Sequence, residues 1–122
     1  MTSIQLDHTI VPARDKEQAA RFFARIFDVR YEGPAGPFIA VRVNDTLTLD
    51  FDDRWPRFEP HHYAFRVSAA DFDAILARVR AEGIAYGSTP WSRTDGRLNE
   101  HVGFRQFYFD DPDGHVLEAF TR

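Results

Sequence analysis

Phe107-Tyr108-Phe109-Asp110-Asp111-Pro112-Asp113-Gly114-His115-Val116-Leu117-Glu118 is the stretch from which the architecture is read. Aromatic residues lead into Asp111-Pro112-Asp113-Gly114, where Pro, Asp and Gly supply the backbone angles of a tight turn, and an apolar run follows. Strands over 105–109 and 116–121 therefore pair as a hairpin. Side chains alternate between faces along a strand, so Glu118 shares a face with Val116 and Phe120. A carboxylate among apolar neighbours is costly unless a cation or a hydrogen-bond donor compensates it.

Working upstream, residues 84–87 read as a short strand and 88–103 as a long polar loop. Before them, Phe72, Ile75, Leu76 and Val79 recur at helical spacing, capped by Ser68 or Asp71 and stopped by Gly83. A strand over 62–67 opens this half of the chain. The other half has the same order. Ile4, Leu6, His8 and Ile10 alternate with Gln5, Asp7 and Thr9 in a strand ending before Pro12. A helix over 16–28, capped by Asp15, then carries the stripe Ala19, Phe22, Phe23, Ile26 and Phe27. Residues 33–37 read as a loop, and strands over 38–43 and 46–51 meet at Asn44-Asp45.

His8 and His62 open the two halves at an offset of 62 − 8 = 54 residues, which marks an internal repeat. A half of this size buries too little apolar surface to be comfortably stable alone. The expectation is an α+β fold, one domain over 1–122 made of modules 1–57 and 58–122, with a curved sheet and helices outside.

Composition narrows the chemistry. Lys+Arg number 15 against 19 Asp+Glu in 122 residues, and Cys is absent. Without cysteine there is no disulfide, thiolate zinc site, iron-sulfur cluster or cysteine nucleophile, so any metal must take N and O ligands. A charge of −4 with no block of like charges argues against nucleic acid or an anionic membrane as partner. No apolar run approaches a membrane span, and the stretch Met1-Thr2-Ser3-Ile4-Gln5-Leu6-Asp7-His8 lacks a signal-peptide layout, so a cytoplasmic location is expected.

Three potential metal ligands then stand where a structural residue would be apolar: His8, His62 and Glu118. A lone strand histidine is ordinarily a hydrogen-bonded core residue, and an arginine is the simple compensation for Glu118. Two imidazoles and one carboxylate are also a set that suits Fe, Mn, Ni, Co or Zn and leaves positions open for water or substrate. The repeat is what links them, because equivalent residues of related halves occupy corresponding places. By the same logic Asp50 corresponds to Glu118. His61 and His62 point to opposite faces of their strand. His115 beside the turn reads as a solvated residue, and His101 as surface or a lid contact.

Leu6-Asp7-His8-Thr9, His62-Tyr63-Ala64-Phe65 and the stretch quoted at the outset together resemble the vicinal oxygen chelate superfamily over the whole chain. That superfamily includes glyoxalase I, fosfomycin-resistance thiol transferases, extradiol dioxygenases and bleomycin-resistance proteins. The resemblance implies paired βαβββ modules around a divalent metal ion (Ni, Zn, Mn, Fe or Co) held by His8, His62 and Glu118. Asp50 matches the position of a fourth, glutamate ligand, one methylene shorter. The implied chemistry is chelation of a small oxygenated substrate and stabilisation of an oxyanion or enolate, with Glu118 or Asp50 as base. Tyr108 is the implied substrate contact, and Arg105 and Gln106 flank the same cavity if the strand register cooperates. A homodimer is implied as well.

Within the same resemblance, a thiol transferase of the fosfomycin-resistance kind needs a lysine and a C-terminal arginine that do not stand where expected here. Extradiol ring cleavage would require His101 or His115 as acid-base group. A metal-free binder of cationic drugs suits the acidic charge, Trp55 and Trp91, but such binders usually lack the ligand triad. The loop 88–103 is expected to cover the cavity.

Overall fold

The computed structural model describes residues 3–122. Met1 and Thr2, the start of the segment read for a leader, lie outside the described residues. The chain divides into two units, Met1–Phe58 and Glu59–Arg122.

In the first unit, β1 (His8–Pro12), α1 (Lys16–Phe27), β2 (Arg30–Ala35), β3 (Phe38–Asn44) and β4 (Leu47–Asp52) follow in order. The sheet order is β1-β4-β3-β2, with β1 parallel to β4 and the other pairs antiparallel. Asp15 caps α1 by accepting from the Gln18 amide, and Asp28 ends it in the left-handed region at φ 53°. The buried stripe Ala19, Ala20, Phe22, Phe23 and Ile26 faces the sheet, whose inward residues are Val11, Ile39, Val41, Leu49 and Phe51. Strand alternation puts His8, Ile10, Thr48, Asp50 and Arg42 on the opposite face.

Two features differ from the sequence expectation. The first strand begins at His8 rather than Ile4, and Ile4 and Leu6 are exposed. The reason is pairing: β4 begins at Leu47, and the parallel register opens with His8 beside Thr48, whose amide donates to the Asp7 carbonyl. The segment read as a loop contains the second half of β2. As the outer strand of its sheet, β2 tolerates Pro34, which has no N–H to donate, and the register shift between Tyr31 and Gly33 absorbs the irregularity.

The second unit runs β5 (His62–Arg66), α2 (Ala69–Ala81), β6 (Tyr86–Gly87), β7 (Asn99–His101), β8 (Phe104–Asp110) and β9 (Val116–Thr121). Its sheet order is β5-β9-β8-β6, with β7 also pairing β8 and with β5 parallel to β9. Ser68 rather than Asp71 caps α2. Phe72, Ile75, Leu76 and Val79 bury against a sheet face bearing Phe107, Phe109, Leu117 and Ala119, with Phe72 edge-on to Phe107 at 5.2 Å. The mixed α+β architecture is thus the expected one, with the same strand-helix-strand order and the same parallel first-to-last pairing in each unit.

The polar segment 88–103 is not one open loop. Its end forms β7 against β8, and its start is bonded to itself and to the sheet. Asp95 accepts from the Ser88 amide and hydroxyl, the Gly96 amide donates to Tyr86 O, and Arg93 Nε donates to Asp110 Oδ1 at 2.6 Å. A side chain at Gly87 would collide with the backbone of Ser92 and Arg93, which cross directly over it. The polar composition that reads as a long loop supplies the donors and acceptors that fasten this segment. Among the described residues no helix is long and apolar enough to cross a membrane.

Candidate functional site

The second unit gathers the better-defined half of the expected ligand set. His62 opens β5 beside β9, and the parallel register pairs Ala64 with Glu118. His62 Nε2 donates to Glu118 Oε1 at 2.8 Å. Glu118 is only 8% exposed. Its other oxygen, Oε2, accepts from Gln106 Nε2 at 2.5 Å. Among the described residues no arginine or lysine pairs with it, so the compensation comes from an imidazole and an amide, not a guanidinium. Tyr108, directly opposite Glu118 on β8, lies edge-on to the His62 ring at 6.0 Å. Burial, and secondarily the Glu118 charge, raise the Tyr108 hydroxyl's pKa and keep it a proton donor.

Alternation separates the two adjacent histidines as expected. His61 belongs to the other face, where its Nδ1 shares a 2.6 Å hydrogen bond with the Tyr63 hydroxyl. Burial, then the neighbouring His115, lower the His61 pKa, and burial pushes Tyr63 up to about 12. His115 is not a solvated turn residue. It is fully buried, and its Nδ1 accepts from the His61 amide at 2.7 Å, so it ties the turn to the start of β5.

Arg105 requires a correction. The hairpin register pairs Asp110 with Val116, hence Tyr108 with Glu118 and Gln106 with Phe120, which leaves Arg105 on the helix side. There its guanidinium lies 4.4 Å from the Phe72 ring centre and donates to Asp73 at 2.7 Å. Gln106 occupies the place by Glu118 that sequence reasoning offered to either residue. The signal was available: once the turn is fixed, counting back in twos from Tyr108 reaches Gln106.

The first unit holds the other two expected residues. His8 begins β1 and Asp50 lies on β4 opposite Ile10, as Glu118 lies opposite Ala64. The carboxylates thus occupy equivalent register positions, each beside the residue two places after its histidine. The interaction differs. His8 Nδ1 bonds to Asp7 at 2.9 Å, and that bond, with the Asp7 and Asp50 charges, raises its pKa. Asp50, half-buried, has its pKa raised by burial despite the opposing pull of His8. One methylene fewer than glutamate leaves Asp50 acting on His8 through its field. Because the Asp7 carboxylate accepts, this bond places a proton on His8 Nδ1.

The donor chemistry fits a divalent cation. Two ligand atoms at about 2.1 Å from one ion and at right angles stand roughly 3.0 Å apart, close to the His62–Glu118 separation. Among the described residues, no three His, Asp or Glu side chains are gathered as a metal site. Of the expected residues, one histidine and one carboxylate lie in each unit's own sheet: His8 and Asp50 in the first, His62 and Glu118 in the second.

A family model described as the Glyoxalase/Bleomycin resistance protein/Dioxygenase superfamily matches residues 5–119. The chain belongs to that superfamily. Among solved structures it is similar to Oxidase ChaP-H2, at 44% identity and a TM-score of 0.93, with 99% of this chain and 95% of that one covered. It is likewise similar to Oxidase ChaP-H1, at 41% identity and a TM-score of 0.92, covering 98% and 97%. A curated relative, fosfomycin resistance protein FosX of Mesorhizobium japonicum, is 28% identical over 124 residues, covering 95% of this chain and 84% of that protein.

Proposed function

We propose that the chain is a metal-dependent enzyme in which His8, His62 and Glu118 hold a divalent ion that chelates a small oxygenated substrate. The observation that supports this reading is the His62–Glu118 pair: a buried carboxylate whose Oε1 lies 2.8 Å from an imidazole nitrogen, with no arginine or lysine paired to it among the described residues. A bound ion would supply Lewis acidity, stabilising negative charge as it develops on the substrate oxygens.

The chain's own residues do the rest. Asp7 holds His8 in the tautomer that leaves Nε2 available. Tyr108, kept protonated, donates a hydrogen bond to a substrate oxygen beside the pair. Asp50, which burial makes more proton-seeking than a free aspartate, is the base or fourth ligand in this reading.

For the reaction class, similarity above 40% identity to two proteins named as oxidases favours oxidation of the chelated substrate. A glyoxalase-like proton transfer is the second reading, supported by Asp50. Thiol transfer to a phosphonate is disfavoured, since the lone lysine, Lys16, is engaged with the Pro37 carbonyl at the start of α1. Oxygen uptake by Fe(II)- or Mn(II)-loaded protein with vicinal diols and hydroxy ketones of aromatic type tests the first reading. Isomerisation of a hemithioacetal without oxygen uptake would support the second. A homodimer is part of the proposal, with the exposed Ile4 and Leu6 as contact residues in its favour, and light scattering tests it.

A further inference from the structure

Resting on the reading of Glu118 as a metal ligand, we infer that Gln106 and Asn99 are positioning residues, a directional amide chain that holds Glu118 Oε2 and directs Oε1, the oxygen facing His62, toward the ion. An ionised carboxylate can only accept, so the Gln106 atom facing Oε2 at 2.5 Å is its amide nitrogen. Gln106 Oε1 must then point the other way, where it accepts from Asn99 Nδ2 at 2.9 Å. Asn99 stands directly opposite Gln106 in the β7–β8 register. The polarity of the whole chain, Asn99 to Gln106 to Glu118, is fixed by the charge at its end.

Each link constrains the next. With Oε2 occupied, Glu118 presents Oε1 to the His62 side, the oxygen that would hold the ion. Without Asn99, the Gln106 amide is free to turn and offer its own oxygen to the carboxylate, an acceptor-to-acceptor contact. The three-residue strand β7 thereby acquires a purpose: it delivers Asn99 to the line of hydrogen bonds behind the ligand. Partners that orient a metal ligand characteristically govern affinity without touching the ion.

The test uses full-length protein in two measurements. In metal-free protein, the Gln106 side-chain amide should give a shifted, exchange-protected NMR signal that is lost in Glu118→Ala and perturbed in Asn99→Ala. By titration calorimetry with Ni²⁺, Gln106→Leu should weaken binding about 10- to 100-fold. Asn99→Ala should weaken it less, and should add nothing when Gln106→Leu is already present. An amide signal indifferent to Glu118→Ala overturns the chain itself. Parental Ni²⁺ affinity in Gln106→Leu, with binding abolished by His62→Ala and Glu118→Ala, overturns the positioning role while the metal reading stands. The NMR signature in a parent that binds no divalent ion contradicts the metal reading and removes the role with it.

Discussion

His62 Nε2 lies 2.8 Å from Glu118 Oε1, although the register of parallel β5 and β9 sets Ala64, not His62, beside Glu118. The glutamate therefore reaches back along the strands to the histidine. In the first unit Asp50 has the same register relation to His8 through Ile10, one methylene shorter, and His8 bonds to Asp7 instead. The duplicated units present one tight and one loose version of the same arrangement.

Glu118→Gln keeps the shape of the side chain and an acceptor for Gln106 while removing the charge. It is expected to fold with a melting temperature within a few degrees of the parent and to lose divalent-ion affinity by at least 100-fold on the order of a ligand deletion. Thermal melts and calorimetry check the two halves of that expectation. Retained affinity would show that the carboxylate is structural.

Arg105 and Tyr108, three residues apart on β8, should separate cleanly. Arg105→Ala removes a guanidinium from the Phe72 face and from Asp73, and should cost about 1 kcal/mol of stability with no change in metal binding. Tyr108→Phe should leave stability nearly unchanged and reduce turnover through loss of its hydroxyl. Denaturant melts and kinetics on the same preparations would reveal a reversal of these roles.

Arg54 grips Asp52 with a two-pronged contact, Nε to Oδ1 at 3.0 Å and Nη2 to Oδ2 at 2.9 Å, and the Asp52 residue is buried. Hydrogen bonding from the Arg54 side chain is the main reason the Asp52 pKa is lowered. A depressed carboxyl contributes stability that is present above the ordinary carboxylate range and is lost as pH falls through its folded value. Arg54→Ala should therefore melt well below the parent at neutral pH, with the gap closing below about pH 4. A gap independent of pH would assign the effect to the guanidinium's packing on Phe38 instead.

Gly87→Ala should unfasten the segment 88–97, because the new methyl would stand 1.7 Å from the Ser92 carbonyl oxygen. The expected result is a lower melting temperature and faster proteolysis near Trp91, whose side chain is already exposed at the surface. Unchanged cleavage there would mean that the backbone crossing is not what holds the loop.

Much of the architecture was legible because its signals are local. Asp15, Ser68 and Gly83 mark helix ends by capping chemistry, and the turn at 111–114 fixes the β8–β9 register and with it the juxtaposition of Tyr108 and Glu118. What escaped depends on partners remote in sequence. Ile4 and Leu6 alternate like a strand yet precede β1, whose start is set by remote β4, and Gly33-Pro34-Ala35 reads as a loop yet pairs at an outer edge where a missing N–H costs little. Arg105 against Gln106 was a question of parity that alternation alone decides. His115 looked solvated because burial of a turn histidine is set by β5, whose His61 amide supplies its partner. The link between Asn99 and Gln106 lay hidden in a segment whose polarity suggested an open loop, since the sequence does not show that its polar groups satisfy one another.

The central claim is that His8, His62 and Glu118 bind the same ion. Elemental analysis of the parent and of His8→Ala, His62→Ala and Glu118→Ala, each loaded with Ni²⁺, dialysed and verified as folded by circular dichroism, tests it most directly. The account predicts stoichiometric metal in the parent and none in any of the three variants. Metal retained by all three variants, or a parent that holds none after loading, would contradict it.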